Sequence, residues 1–166
     1  MGKQSGFNRA AVLGLGILLM AGSASVSVSA PVFDGDVCWT IKINQDENGT
    51  VVNPVGRLAK FHVVSLDPTT FAMTGAVTVP GDSPFIMTGT ATLRGASIIT
   101  NLVGTQDHKV SAIGDLWRDT AVLRATFNST TLNGSVFSIG QSYDRANRNF
   151  GKEDYSSGTL TYRACP

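Results

Sequence analysis

Few side chains in this chain of 166 residues have a type and spacing suited to catalysis or metal binding. The two histidines, His62 and His108, do not stand at metal-ligand spacing from each other or from a cysteine. The sequence also lacks a Gly-x-Ser-x-Gly elbow, a phosphate-binding glycine loop and a His-Glu-x-x-His pair. We therefore interpret both histidines as structural, and we predict a protein without catalytic residues, cofactor or metal.

The segment Asn44–Gly49 resembles the opening of a calcium-binding loop, where alternate oxygen-bearing residues and a glycine surround the cation. Such a loop requires a bidentate carboxylate at its last position, which here is Val55. We therefore predict a hairpin turn built on Asn48-Gly49 at this place instead of a metal site.

Residues 1–30 have the layout of a bacterial Sec signal peptide, with a basic start and an apolar stretch too short to span a bilayer. Small residues permit cleavage after Ala24 or after Ala30. We expect a secreted or periplasmic protein with one domain over 31–166 and no integral membrane segment after signal cleavage.

The predicted mature chain carries little net charge. Removal of the leader leaves eleven basic residues against twelve acidic ones, a net charge of −1 at neutral pH. Nucleic acids and anionic membrane surfaces attract strongly basic proteins, so we predict no nucleic-acid partner.

From residue 37 onward the hydrophobic pattern has a period of two and is rich in Thr, Val, Ile, Phe and Gly, which indicates an all-β fold. In the first strand Val37, Trp39 and Ile41 share one face, and the other face is polar. The same alternation recurs at 71–79, 85–93, 121–127 and 160–164, and less regular runs lie at 58–66, 97–104, 109–117 and 132–140.

Two cysteines stand near the two ends of the predicted mature chain. Cys38 lies on the polar face of the first strand, and Cys165 shares its parity with Arg163 on the polar face of the last. A disulfide requires Cα atoms within about 7 Å. We therefore predict an external Cys38–Cys165 bridge that closes a single antiparallel up-and-down β-barrel.

Closure between antiparallel terminal strands requires an even number of strands, whereas the runs above number nine. Either Thr50–Val55 forms a short additional strand, giving ten, or two runs between 97 and 117 form one bent strand, giving eight. We also expect a long irregular connection over 141–157. Three glycines stand inside strand-like runs: Gly75, Gly89 and Gly134. Such glycines occur where a curved sheet bends or where another backbone approaches closely, and we favour bending.

A secreted chain of this length, with a tryptophan on the first strand of a closed barrel, resembles the calycin-type barrels, which include lipocalins and avidin-like proteins. The resemblance covers the mature domain at the level of the fold. Lipocalins carry Gly-x-Trp on the first strand, whereas this chain has Gly35-Asp-Val-Cys-Trp39, and no binding residue is carried over.

The interior of a barrel of about eight strands either fills with side chains or holds one small ligand. Both alternatives are open at this stage. Our leading hypothesis is a non-enzymatic barrel that binds a small apolar or amphiphilic molecule. The candidate lining residues are the aromatic and methionine side chains at inward positions: Trp39, Phe71, Met73, Phe85, Met87, Phe127 and Tyr162.

The alternative is an interaction or structural protein that contacts a macromolecular partner, such as another protein, through loops at one barrel end. Its candidate contact residues are Trp117 and Arg118 beside a predicted turn, with Arg145 and Arg148 in the long connection. A small cofactor-free hydrolase or isomerase is the third hypothesis. We disfavour it because no Asp or Glu falls on the predicted inner face.

Overall fold

The computed structural model describes residues 32–110, 115–145 and 147–166, so the predicted leader at 1–30 lies outside the described residues. Within these ranges the fold is all-β, as predicted, and no helix is long and apolar enough to cross a membrane. The strands are β1 (Gly35–Asp46), β2 (Gly49–Thr50), β3 (Gly56–Ser65), β4 (Thr70–Thr78), β5 (Phe85–Arg94), β6 (Ser97–Val110), β7 (Asp115–Asn128), β8 (Gly134–Asp144) and β9 (Asn149–Arg163).

Strand β1 pairs antiparallel with both β3 and β9, and this double pairing closes the sheet into a barrel. The ring runs β1-β3-β4-β5-β6-β7-β8-β9 and returns to β1, so it has 8 strands. Strand β2 adds a short arm to β1 outside the ring, through the pairs Gln45↔Thr50 and Asp46↔Gly49. The even count required by the cysteines is therefore met by eight, and the turn before β2 falls on Glu47 and Asn48, one residue earlier than predicted.

Two of the predicted segments are wrong. The run 109–117 is not a separate strand, because β6 extends to Val110 and β7 begins at Asp115; residues 111–114 lie outside the described residues. The connection predicted over 141–157 is mostly strand, since β8 and β9 stay paired as far as Asp144↔Asn149. Hydrophobic alternation fails there because inner-face positions of β8 and β9 carry polar residues, among them Asp144, Asp154 and Ser156.

The two ends of the barrel differ. Strands β1, β4, β6 and β8 finish at one end, which we call the mouth, and their antiparallel neighbours begin there. The opposite end, which we call the closed end, is filled by Phe33 and by Leu132 from the β7–β8 connection. The indole Nε1–H of Trp39 donates a buried hydrogen bond of 2.8 Å to the carbonyl oxygen of Leu132. The ring of Phe33 packs against those of Phe71 and Phe127, at centroid distances of 5.0 and 5.4 Å.

The Cys38–Cys165 disulfide is present at the closed end, with Cα atoms 5.1 Å apart. Residue 38 pairs with Arg163 of β9, so the bridge joins the start of the first strand to the end of the last, as predicted. The Cys38 side chain is nevertheless fully buried, although its strand parity is that of the exposed residues Asp36 and Lys42. The disulfide indicates an oxidising compartment.

Glycines on the inner face allow the strands of the wall to approach one another closely. A Cβ atom on Gly89 would lie 2.0 Å from the carbonyl oxygen of Asn101. The corresponding distances are 2.1 Å at Gly75, to Lys60, and 2.1 Å at Gly134, to Thr126. The close neighbour is in each case the adjacent strand, as expected where a tightly coiled wall needs glycine kinks.

Replacing both cysteines by serine should lower the free energy of unfolding. The bridge spans a sequence separation of 127 residues. For a loop of this length, the chain-entropy model gives up to about 5 kcal/mol. Urea denaturation of the oxidised protein and the double variant measures the difference. A reductant should leave the double variant unchanged, and equal unfolding free energies for the two proteins would contradict this role of the bridge.

Gly89→Ala should destabilise the barrel by about 1–3 kcal/mol, the range for overpacking, because the added methyl group meets backbone atoms that cannot move independently. Gly140→Ala is the matched control. It adds the same methyl group to another inner-face position, where the nearest atom, the carbonyl oxygen of Thr120, is 3.6 Å away. Thermal denaturation should show a lowered midpoint for the first variant only, and similar midpoints for both would show that the wall tolerates the methyl group.

Candidate functional site

The mouth of the barrel contains a cavity of about 560 Å³. Cavities of roughly 300–1,000 Å³ are typical of small-molecule sites. Its inner walls are apolar and come from strands on all sides of the ring, namely Ile43, Val77, Phe85, Met87 and Leu123. Because the closed end is filled, the cavity opens in one direction only.

Polar groups also line this cavity. Ser138 of β8 and Ser156 of β9 are opposite each other in the register, and their hydroxyl oxygens lie 2.7 Å apart. Arg57, at the start of β3, is half-buried in the lining, and this burial lowers the pKa of its guanidinium. An arginine in such a place keeps its charge at physiological pH. The lining therefore combines an apolar floor with hydroxyl groups and a partly desolvated cation.

Carboxylates also lie on the inner face near the mouth, which corrects the prediction that none would. Asp154 lines the cavity, and the register places Asp119 beside the buried Gln106. Asp144 is buried at the end of β8 and accepts hydrogen bonds from the backbone N–H, at 3.2 Å, and the side-chain amide of Asn147. The prediction failed because 141–157 was interpreted as a loop, so that its residues were given no face.

The connection between β1 and β3 folds over one side of the mouth. Val51 packs against the core, and its N–H donates to the carbonyl of Asn44 at 2.9 Å. Asp46 accepts a bond of 2.8 Å from the N–H of Asn48, which fixes the turn. The Asp46 carboxylate thus stabilises the hairpin turn. Within the described ranges, no group of three or more His, Cys, Asp or Glu residues is placed to hold a metal ion.

The predicted ligand-lining residues divide between the two halves of the barrel. Phe85 and Met87 line the mouth cavity. Trp39, Met73 and Phe127 are buried in the closed half, where they surround a space of only about 20 Å³. Phe71 and Tyr162 are partly buried and pack against the same core. Five of the seven predicted side chains thus lie outside the mouth cavity.

Sequence reasoning missed Arg57, Ser138 and Ser156, which the structure places in the cavity lining. The sequence contained a signal for Arg57. Arg57 shares its strand parity with the buried Ala59 and Phe61, and a charged residue at an inward position is itself informative.

The four predicted partner contacts lie around the mouth. Trp117 is half-buried in β7, and Arg118 beside it is exposed. The Arg118 guanidinium donates to both oxygens of Asp107, at 2.7 and 2.9 Å, and this lowers the pKa of the Asp107 carboxyl. Arg145 and Arg148 are exposed in the β8–β9 connection.

The histidines offer no catalytic arrangement among the described side chains. His62 is exposed, and its Nδ1 lies 3.0 Å from an oxygen of Asp36. The hydrogen bond from His62, followed by that from Lys60, lowers the pKa of Asp36. His108 belongs to β6, but its side chain lies outside what the structure describes.

The mouth is thus a pocket lined by both apolar and polar side chains, suited to hold a molecule of mixed polarity. In comparisons with known proteins, no family model matches this chain, and the search of curated proteins finds no match.

Proposed function

We propose that this protein is an exported, non-enzymatic β-barrel that binds a small amphiphilic molecule in the mouth cavity. The observation that carries the proposal is the division of the barrel interior. A packed closed end leaves a cavity of about 560 Å³ with one entrance. The apolar part of the ligand would contact the inner walls, and its polar group would remain near Arg57, Ser138 and Ser156.

The mixed lining favours an amphiphile over a purely apolar ligand. Desolvated polar groups lose their water partners when a ligand enters, and only a ligand with a polar group replaces those hydrogen bonds. Arg57 lines the cavity together with the carboxylates of Asp46, Glu47 and Asp154, so a head group that both donates and accepts hydrogen bonds is the best match. The apolar walls supply the larger part of the binding free energy through burial of the ligand's hydrocarbon surface.

The resemblance to calycin-type barrels supports the same proposal at the level of the fold, because a barrel of this size that is not filled by side chains has room for a single small ligand. The disulfide and the predicted leader support bacterial Sec export to the periplasm or the medium.

A second proposal is an interaction protein whose mouth rim contacts a macromolecular partner. One observation favours it: Trp117, Arg118, Arg145 and Arg148 lie at the same barrel end as the exposed Val52 and Val55. Aromatic residues and arginine are enriched at protein interfaces. Native mass spectrometry of protein isolated from its own compartment separates the two proposals, since the first expects a retained small molecule and the second a stoichiometric protein.

Ala121→Phe should abolish or strongly weaken ligand binding by placing a ring inside the cavity that Ala121 lines. The probe is anilinonaphthalene sulfonate, an anionic amphiphile, followed by fluorescence and displaced by lauric acid. We expect the dissociation constant to rise by about tenfold or more, equivalent to roughly 1.4 kcal/mol.

The matched control is Val122→Phe, one residue further on the same strand, where the side chain is 54% exposed on the outer face. It should bind the probe like the unchanged protein, and circular dichroism should show that both variants fold. Equal affinities for the two variants, or no displaceable binding to the unchanged protein, would refute the mouth cavity as the site.

A further inference from the structure

The outer wall of the barrel carries a second concave site, separate from the mouth cavity. It is a groove of about 570 Å³ between the outer faces of β7–β9 and the arm formed by the end of β1 with β2. Its volume is also in the range of small-molecule sites. The residues that define it here are Asn44, Gln45, Thr50, Arg124, Phe137 and Ser157, which we call the outer groove.

The strand register aligns most of these side chains in one row. Arg124 is opposite Phe137, and Phe137 is opposite Ser157. Ser157 is in turn opposite Gln45, which is opposite Thr50. Neighbouring strands lie about 4.8 Å apart, so the row extends over roughly 19 Å. This length suits an extended, chain-like ligand lying across the strands.

An irregularity in β1 is responsible for part of the row. The pairing of β1 with β9 shifts between Ile43 and Gln45, so that Asn44 is the extra residue of a bulge. Ile43 is buried inside the barrel, whereas Gln45 is exposed on the same side as Ser157. Without the bulge these two odd-numbered residues would share a face. Bulges often re-aim a side chain in this way at functional sites.

Phe137 is the aromatic member of the row, and it is 44% exposed. It lies between Ser157 and Arg124 in the register, and Val122 and Ile139 are exposed beside it on the same outer wall. The other members of the row carry amide, hydroxyl and guanidinium groups. An exposed ring presents a flat apolar face, and the polar groups around it donate and accept hydrogen bonds.

We propose that the outer groove binds a saccharide chain. A sugar ring has one face of C–H groups, which packs on an aromatic ring, and an edge of hydroxyl groups, which requires donors and acceptors together. Phe137 provides the apolar face, and Gln45, Asn44 and Ser157 provide both donors and acceptors. Arg124 adds donors and suits a sugar that bears a carboxylate.

Other ligand classes fit the outer groove less well. Nucleic acids require several cations along their backbone, and among the described lining residues the charged one is Arg124. A lipid requires an enclosed apolar surface, whereas this groove is open and interleaves Phe137 with amide, hydroxyl and guanidinium groups. Addition of a peptide strand needs a free sheet edge; the ring of eight strands has none because β1 pairs on both sides, and the edge of β2 beside the groove is only 2 residues long.

The outer groove and the mouth cavity are separated by the barrel wall. Leu123 faces the cavity, and its neighbour Arg124 lines the groove. A variant in the groove therefore leaves the lining of the cavity intact, and the saccharide proposal stands or fails independently of the amphiphile proposal.

The test is co-sedimentation of the disulfide-bonded protein with insoluble cellulose, chitin, starch and peptidoglycan sacculi. We expect binding to at least one of them. Phe137→Ala should weaken that binding by about tenfold, as expected for loss of a central aromatic contact. Gln45→Ala should weaken it to a smaller extent.

The matched control is Phe150→Ala, which removes another exposed phenylalanine at the mouth and should bind like the unchanged protein. Melting temperatures show whether each variant folds, and Gln45→Ala keeps the test decisive if Phe137→Ala does not. Failure to bind all four polysaccharides would overturn the proposal, as would equal binding by the Phe137→Ala and Phe150→Ala variants. Light scattering provides the last outcome: a dimer that dissociates on Phe137→Ala would show that the groove is covered by a second copy, which also overturns it.

Discussion

The double pairing of β1, with β3 on one side and β9 on the other, is the constraint on which the rest of this structure depends. It removes the free edges of the sheet, so every strand in the ring has backbone hydrogen-bond partners on both sides. It also brings the two ends of the chain together, and only then can Cys38 meet Cys165 across a sequence separation of 127 residues. The disulfide fastens a closure that the backbone hydrogen bonds define.

Closure also determines the two sites. Inside, the N–H of Trp39 and the backbone of Leu132 seal one end, so the remaining space opens only at the mouth. Outside, the bulge at Asn44 lets β1 leave the ring toward β2 while Gln45 joins the outer row. Strand β1 thus contributes Trp39 to the closed end, Ile43 to the cavity wall and Gln45 to the outer groove. The last contribution depends on the register shift between Ile43 and Gln45.

Much of the fold and part of the site could be predicted from sequence. The period-two pattern and the cysteine parity predicted an all-β barrel with an even number of strands and a bridge between its ends. The inward positions of Phe85 and Met87 were also predicted, and both line the cavity. The segment 141–157 was misinterpreted because Asp144, Asp154 and Ser156 are polar residues on an inner face, and alternation identifies a strand only where its two faces differ in polarity.

The sequence by itself determined the class of fold, the pairing of the cysteines and the facing of residues in regular strands, since these follow from local alternation and from the reach of a disulfide. Only the tertiary structure decided where the interior is packed and where it is open. It also brought Arg124, Phe137, Ser157 and Gln45 into one row from four strands. Cavities and grooves depend on the register between strands distant in sequence and on what the connections cover, and neither quantity is encoded in the periodicity of a single strand.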